Sequence, residues 1–326
     1  MASQPTITII GTGLIGGSIG MSLTKNRGDD LTIIGHDKDF GQAGLARKMG
    51  AVSKVERNLH SACAKADMII LAIPTSEIEE TLELIAEDLK AGCVVTDTAS
   101  LKVPVLQWAD EYLPESASFV GGDPILFGDE AGLDMARPDL FEKKQYCLTP
   151  STRATADGVK LVTDLVSMMG AIPHFIDPHE HDGLIGGSEH LADILSVTLL
   201  KALSSSGGWR DMRRICGATF DRVTCFSMSD PAEYQDRALL NRENVMRWID
   251  TFQRELSEVR QLIEDEDGEA IEKLYDSQMD VRIKWLHDRD TQDWGDMPRS
   301  ASVPTSGAMM SQMIFGGLGR RRSEDE

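Results

Sequence analysis

Short β-branched runs alternate with segments of helical periodicity through the first 177 residues of this chain. TITII (6–10), LTIIGH (31–36), DMIILAI (67–73), CVVTD (93–97), ASFVG (117–121) and HFID (174–177) read as strands. Near-continuous apolar runs of this length suit a parallel sheet covered on both faces. Between them, TSEIEETLELIAEDLK and TADGVKLVTDLVSMMG carry apolar residues at helical spacing. The alternation predicts an α/β fold: a doubly wound, Rossmann-type, mostly parallel sheet over residues 1–178.

After Pro178 the pattern changes, and from about 182 to 288 only helical periodicity remains. In HLADILSVTLLKAL, Leu191, Ile194, Leu195, Leu199 and Leu203 form one stripe, and a second long pattern runs from Val245 to Leu286. Residues 179–288 are therefore expected to form an all-helical domain of the kind that pairs across a subunit interface, giving a homodimer. From Arg289 onward the chain mixes Ser, Pro, Gly and Met and ends in RRRSEDE, so 289–326 reads as a mostly disordered tail.

Composition removes several functions. A formal net charge of −20 over 326 residues argues against nucleic-acid binding, which needs a basic surface. No run approaches the roughly 20 apolar residues of a membrane span, and the N-terminus has no basic leader. The five cysteines are scattered without a CxxC pair, which reads as reduced thiols in a cytoplasmic protein. In HEHD (179–182), His179 and His181 stand two apart with no third ligand nearby, so no metal site is expected. That run reads as a linker, with Asp182 capping the next helix. Gly186 and Gly187 inside that helix each cost about 1 kcal/mol relative to alanine. They imply a close approach of backbone to a cofactor or another helix.

TITII runs directly into GTGLIGGS, where Gly11, Gly13 and Gly16 make GxGxxG and Leu14 and Ile15 open a helix. The first glycine permits the tight turn, the second admits a pyrophosphate, and the third lets helix pack on strand. The helix N-terminus offers N–H groups and partial positive charge to phosphate. Asp37, at the end of the second strand, is placed to accept hydrogen bonds from a ribose and to repel a 2′-phosphate, which favours NAD over NADP. Lys38 beside it would soften that exclusion. Pro74 ends the third run, and Thr75 and Ser76 start a helix that they would cap while lining the cofactor cleft. FVGGDPILFG reads as a strand end and a turn presenting Asp123.

GTGLIGGS, ILAIP, TDTASLK, GGDP with FGDEAGL, LTP, PHEHDGLIGGSEHL and GWRDMRRI, in this order, resemble the prephenate/arogenate dehydrogenase family of tyrosine biosynthesis. The resemblance covers roughly residues 5 to 285. It implies hydride transfer from the hydroxyl-bearing ring carbon of a small carboxylate substrate to a nicotinamide, with loss of carbon dioxide. It places Ser100 next to the substrate hydroxyl, with Lys102 nearby, and Arg214 on the substrate carboxylate, with Arg213 able to share that task. Two positions depart from the family pattern. Asp123 stands where a catalytic histidine is expected. In Glu189-His190-Leu191-Ala192-Asp193, His190 matches a family histidine while Asp193 replaces a second one. His190 and Asp193 share a helix face, a spacing that allows a hydrogen bond. Asp123 is then a substitute base, a selector for another substrate, or the mark of lost activity. The alternatives to the family reaction are a dehydrogenase of another small carboxylic acid and a non-catalytic NAD-binding pseudoenzyme.

Overall fold

Every strand expected from the apolar runs forms, and two more complete the sheet. The computed structural model describes residues 4–28, 30–128, 131–225 and 231–295. Its strands are β1 (Thr6–Ile10), β2 (Thr32–His36), β3 (Lys54–Val55), β4 (Met68–Leu71), β5 (Val94–Asp97), β6 (Ser118–Pro124), β7 (Gln145–Pro150) and β8 (Ile172–Phe175). They lie in the order β3-β2-β1-β4-β5-β6-β7-β8. β1 to β6 are parallel; β7 pairs antiparallel with β6, and β8 follows β7 in parallel. The last two strands thus run against the rest.

Alternate residues of the central strands feed opposite faces, as a pleated sheet requires. Ile9, Ile70 and Val120 join one apolar core, which includes Ile19 and Leu23 of helix α1 (Leu14–Arg27). Ile10, Ile69, Leu71, Val95 and Phe119 join the other. That second core is closed by Ile78 and Leu82 of a helix over Thr75–Ile85 and Val105 of one over Val103–Tyr112. With α2 (Phe40–Lys48) and α3 (Leu59–Cys63) preceding them, these two are α4 and α5, and α6 covers Ala156–Met168.

The segment expected to turn at GGDP is instead strand to its end. Asp123 stands opposite Cys147 and Pro124 opposite Tyr146. Both glycines answer to crowding within the sheet. A Cβ at Gly121 would lie 2.4 Å from Thr149 Oγ1, and one at Gly122 would lie 2.7 Å from the Asp97 carbonyl oxygen. Proline is tolerated because β5 pairs with β6 only as far as Val120, so on that side the strand has no ladder partner at Pro124.

The helical part comprises α7 (Pro178–Ile185), a π-helical turn over Gly186–His190, α8 (Leu191–Ser204), α9 (Trp209–Ile215), α10 (Ala218–Val223), α11 (Pro231–Leu240), α12 (Arg242–Glu264) and α13 (Gly268–Thr291). HEHD is not a linker but part of the first turns of α7. Asp177 caps that helix, accepting from His179 N at 2.8 Å and Glu180 N at 3.2 Å. Asp182 caps a different one: its oxygens accept Lys102 N at 2.8 Å and Val103 N at 2.9 Å, at the start of α5. The glycine pair serves helix packing, since a Cβ at Gly187 would sit 2.5 Å from the Trp248 ring.

By packing, the chain divides into units Met1–Asp250 and Thr251–Glu326. The sheet and α1 to α11 belong to the first. In the second, α13 is capped by Asp267 and continues to Thr291; the expected tail beyond 295 lies outside the described residues. No helix among the described residues is long and apolar enough to cross a membrane.

Candidate active site

A cleft of about 440 Å³ opens at the carboxyl ends of β1, β4, β5 and β6. In open α/β sheets such strand ends, flanking the point where strand order reverses, form the ligand crevice. The glycine turn supplies one wall. Gly11 has φ +87°, and a Cβ there would lie 2.2 Å from the Ala72 carbonyl oxygen; a Cβ at Gly16 would lie 1.9 Å from that of Gly11. Both are required by the chain itself. Gly13 differs: a Cβ there meets no atom of the described residues within 4 Å. Gly13 is also the N-cap of α1, with no side-chain cap and no acid in the first turn. An uncapped helix N-terminus beside an open glycine is a cradle for phosphate.

Asp37 is held at the edge of this turn. Its Oδ2 accepts from Thr12 N (2.8 Å) and Thr12 Oγ1 (2.9 Å), and Oδ1 accepts from Asp39 N (2.9 Å). The carboxylate is thereby fixed at the end of β2, as a ribose ligand should be. The ammonium of Lys38 pairs with Glu77. Pro74 and Thr75 line the cleft with Leu14 and Ile15. Neither Thr75 nor Ser76 supplies a cap, because α4 starts without a side-chain hydrogen bond.

Opposite stand Ser100 and Asp123. Asp123 is 6% exposed, and its Oδ2 lies 3.1 Å from His181 Nε2. The same imidazole meets Asp182 Oδ1 through Nδ1 at 2.9 Å. Burial works to lower the His181 pKa, but the hydrogen bonds to Asp123 and Asp182 prevail and carry it up to about 11.

His190, 2% exposed, reaches the cleft from the π turn. Its Nδ1 receives the Asn241 amide at 3.3 Å; that amide also donates to the Asp182 carbonyl at 2.8 Å, while its oxygen accepts from Asn244. The network assigns the proton of a neutral ring to Nε2, which is buried and has no partner among the described residues. Burial, and then Arg237, depress this histidine to about 4. It is a hydrogen-bond donor waiting for an acceptor rather than a base.

Arg237, from α11, lines the cleft and pairs with Asp193 at 3.4 Å and Glu233 at 3.6 Å. Asp193 is therefore the partner of Arg237, not of His190. Two further expectations are corrected. Lys102 is fully buried (0% exposed), with Nζ 2.5 Å from Asp97 Oδ2 and 2.6 Å from the Gly122 carbonyl oxygen. Its ammonium holds β5 to β6 and is unavailable to a substrate. Arg213 and Arg214 lie on α9 and do not line the cleft; the Arg214 side chain is 66% exposed and 3.8 Å from Asp211. A seven-residue helix without buried residues has nothing to turn either arginine inward.

His181, Asn241 and Arg237 line the cleft or contact residues that do, and the sequence does not single them out. His181 reads from the sequence only as part of a linker, its spacing to His179 being too poor in further ligands for a metal site. The helical spacing of His181, Asp182 and Ile185, all buried on α7, is the available signal for an inward-facing histidine.

Fold and cleft together define a dinucleotide-binding oxidoreductase of the doubly wound class. The model of "Prephenate dehydrogenase, nucleotide-binding domain" matches residues 20–173, and that of "Prephenate dehydrogenase, dimerization domain" matches 177–276. The chain belongs to the prephenate dehydrogenase family. It is 31% identical over 286 residues to the prephenate dehydrogenase of Bacillus subtilis, covering 86% of this chain and 76% of that one. It is 25% identical over 286 residues to the cyclohexadienyl dehydrogenase of Zymomonas mobilis, covering 87% and 97%. Among solved structures it resembles prephenate dehydrogenase from Aquifex aeolicus in complex with hydroxyphenyl propionate and NAD+. That likeness has a TM-score of 0.78 at 27% identity, covering 88% of this chain and 99% of that one.

Proposed function

We propose that this protein is an NAD-dependent dehydrogenase that oxidises a cyclohexadienyl substrate of the prephenate/arogenate type towards a phenol, with loss of carbon dioxide. One observation carries the reading: a single cleft brings together a phosphate-ready glycine turn, Asp123 and Ser100 at the ends of β6 and β5, the unpaired Nε2–H of His190, and Arg237. Family membership supports the same chemistry, and the dimerization-domain match over 177–276 supports a homodimer. The two matched regions also favour the division into a cofactor-binding segment, 1–178, and a helical segment, 179–288.

When bound, nicotinamide supplies a hydride acceptor. Gly13 and the start of α1 would hold the pyrophosphate of the dinucleotide, and Asp37 would hold its adenosine ribose. The substrate hydroxyl lies between Asp123 and Ser100, and Asp123 takes its proton as the ring carbon loses hydride. His190 donates Nε2–H to a substrate oxygen, which orients the ring. Arg237 is the cation for a carboxylate; its planar fork suits that geometry. The other charged side chains of the lining, Asp123, Glu189 and Glu233, are all acidic. A substrate that carries an ammonium beside its carboxylates, as arogenate does, suits this balance better than prephenate.

The test is reduction of NAD by the purified chain with prephenate and with arogenate in parallel. Turnover with either supports the reading, and turnover with neither overturns it. Arg237→Gln is expected to raise KM for the substrate roughly 10- to 100-fold, the worth of a charge-assisted hydrogen bond, with KM for NAD unchanged.

The cofactor cradle has its own test, independent of turnover. Gly13→Ala should leave thermal unfolding unchanged while weakening NAD binding about tenfold or more in calorimetry, because the added methyl meets only the ligand. Gly16→Ala should lower the unfolding temperature itself, because its methyl meets the Gly11 carbonyl. Equal effects from the two variants would refute this division of labour.

A further inference from the structure

Asp123 is one end of a row of three ionisable side chains whose other two members, His181 and Asp182, neither the family resemblance nor the cleft lining assigns. Asp182 takes the backbone N–H groups of Lys102 and Val103 at the start of α5. His181 joins Asp182 at 2.9 Å to Asp123 at 3.1 Å, and is itself 1% exposed. Asp123 then opens on the cleft. We propose that His181 is the positioning residue of this site: clamped between Asp182 and Asp123, it fixes Oδ2 of Asp123 and leaves Oδ1 to face the substrate hydroxyl. This rests on the reading of Asp123 as the group that takes the hydroxyl proton.

Geometry sets the charge of the ring. Each ring nitrogen of His181 meets a carboxylate oxygen, and an ionised carboxylate only accepts. Both nitrogens must therefore carry protons, which makes the ring an imidazolium. The surroundings agree from every side. β6 presents Asp123, α7 presents Asp182, and β7 presents Cys147; His190 lies beyond the end of α7. α5 presents only backbone N–H groups, because the Lys102 ammonium is turned to Asp97. Burial alone favours a neutral imidazole, and the two carboxylates outweigh it.

Three consequences follow for the reaction. The row carries two negative charges and one positive, so the cleft meets a net charge of −1 in place of two bare carboxylates. The cation sets a compensating positive charge directly against the buried Asp123 carboxylate. The two-point clamp also fixes the carboxylate plane, and angular precision of this kind is worth about 100-fold in rate. A substitution that looked like a lost histidine thus retains a histidine, one position further from the substrate.

The decisive measurement is nitrogen NMR of the full-length chain labelled at histidine, without substrate, between pH 6 and 9.5. The His181 ring should show two protonated nitrogens throughout. In Asp123→Asn it should begin to deprotonate within that range. A His181 that is neutral, or that titrates near 6.5, would overturn the proposal whatever the enzyme turns over. The kinetic arm is His181→Gln. Its kcat should fall about 100-fold with KM for NAD unchanged. A kcat within threefold of the parent would also overturn it. Should His181→Gln fail to fold, the labelled parent and Asp123→Asn still decide. Failure of the parent to oxidise prephenate or arogenate would sink the proposed function and leave the NMR result standing.

Discussion

Asp123→Asn is expected to lower kcat by between about 10² and 10⁴, the usual contribution of a positioned proton acceptor, while NAD binds as before. The amide has the shape of the carboxylate and its oxygen still accepts from His181 Nε2, so the β6–β7 pairing at Asp123 and Cys147 survives. What it loses is the ability to take a proton at the atom facing the cleft. Steady-state kinetics with NAD titration checks both halves, and an Asn variant within threefold of the parent would remove Asp123 from the chemistry. Asp123→His, which restores the residue expected from the family, should not rescue or improve turnover. The new imidazole would face the His181 ring in place of the carboxylate that now stands 3.1 Å from it. Like-charge contact and the loss of an acceptor both act against it. A large gain on prephenate would count against the substitute-base role and against a different small carboxylic acid as the substrate. Of the three roles open to this carboxylate, a substitute base is the one that its partner favours.

What the chain reveals before folding follows the range of each interaction. The glycine turn is legible because all three glycines and the strand before them lie within a dozen residues, and each has a local mechanical duty. Asp37 is legible because it ends a strand at a fixed remove from that turn. The Asp123–His181 contact spans 58 residues and cannot be read from spacing. The sequence raises the need for a compensating cation without saying which of seven histidines or 33 basic residues meets it. Arg237 and Asp193 are 44 residues apart and meet only once α8 and α11 have packed. β7 escapes notice because QYCLTP has no period-2 apolar alternation, and with it goes the reason GGDP is strand. Lys102 misleads for a simpler reason. Lysine is almost never fully buried unless paired, and the pairing partner sits on the adjacent strand end.

That pair carries the largest expected effect on stability. Lys102→Met should cost about 3–5 kcal/mol in urea unfolding, the usual penalty for removing one partner of a buried ion pair. Methionine fills most of the volume, so the loss is electrostatic: Asp97, with a side chain 0% exposed, would keep only the N–H groups of Gly122 and Ala99. Activity should fall too, because Lys102 also holds the Gly122 carbonyl, one residue before Asp123. The pH dependence separates a lost charge from a simple packing defect. Burial already pushes the Asp97 pKa upward, and Lys102 is what pulls it back. With the lysine gone, the folded-state pKa rises further above its unfolded value, so folding favours the protonated acid. The deficit should therefore be largest above that raised pKa and shrink as pH falls through it. Adding Asp97→Asn to Lys102→Met should recover part of the loss at pH 7 and remove its pH dependence. A deficit that stays constant from pH 7 to pH 5, in single and double variants alike, would mean that the lysine acts through its hydrocarbon stem and not through its charge.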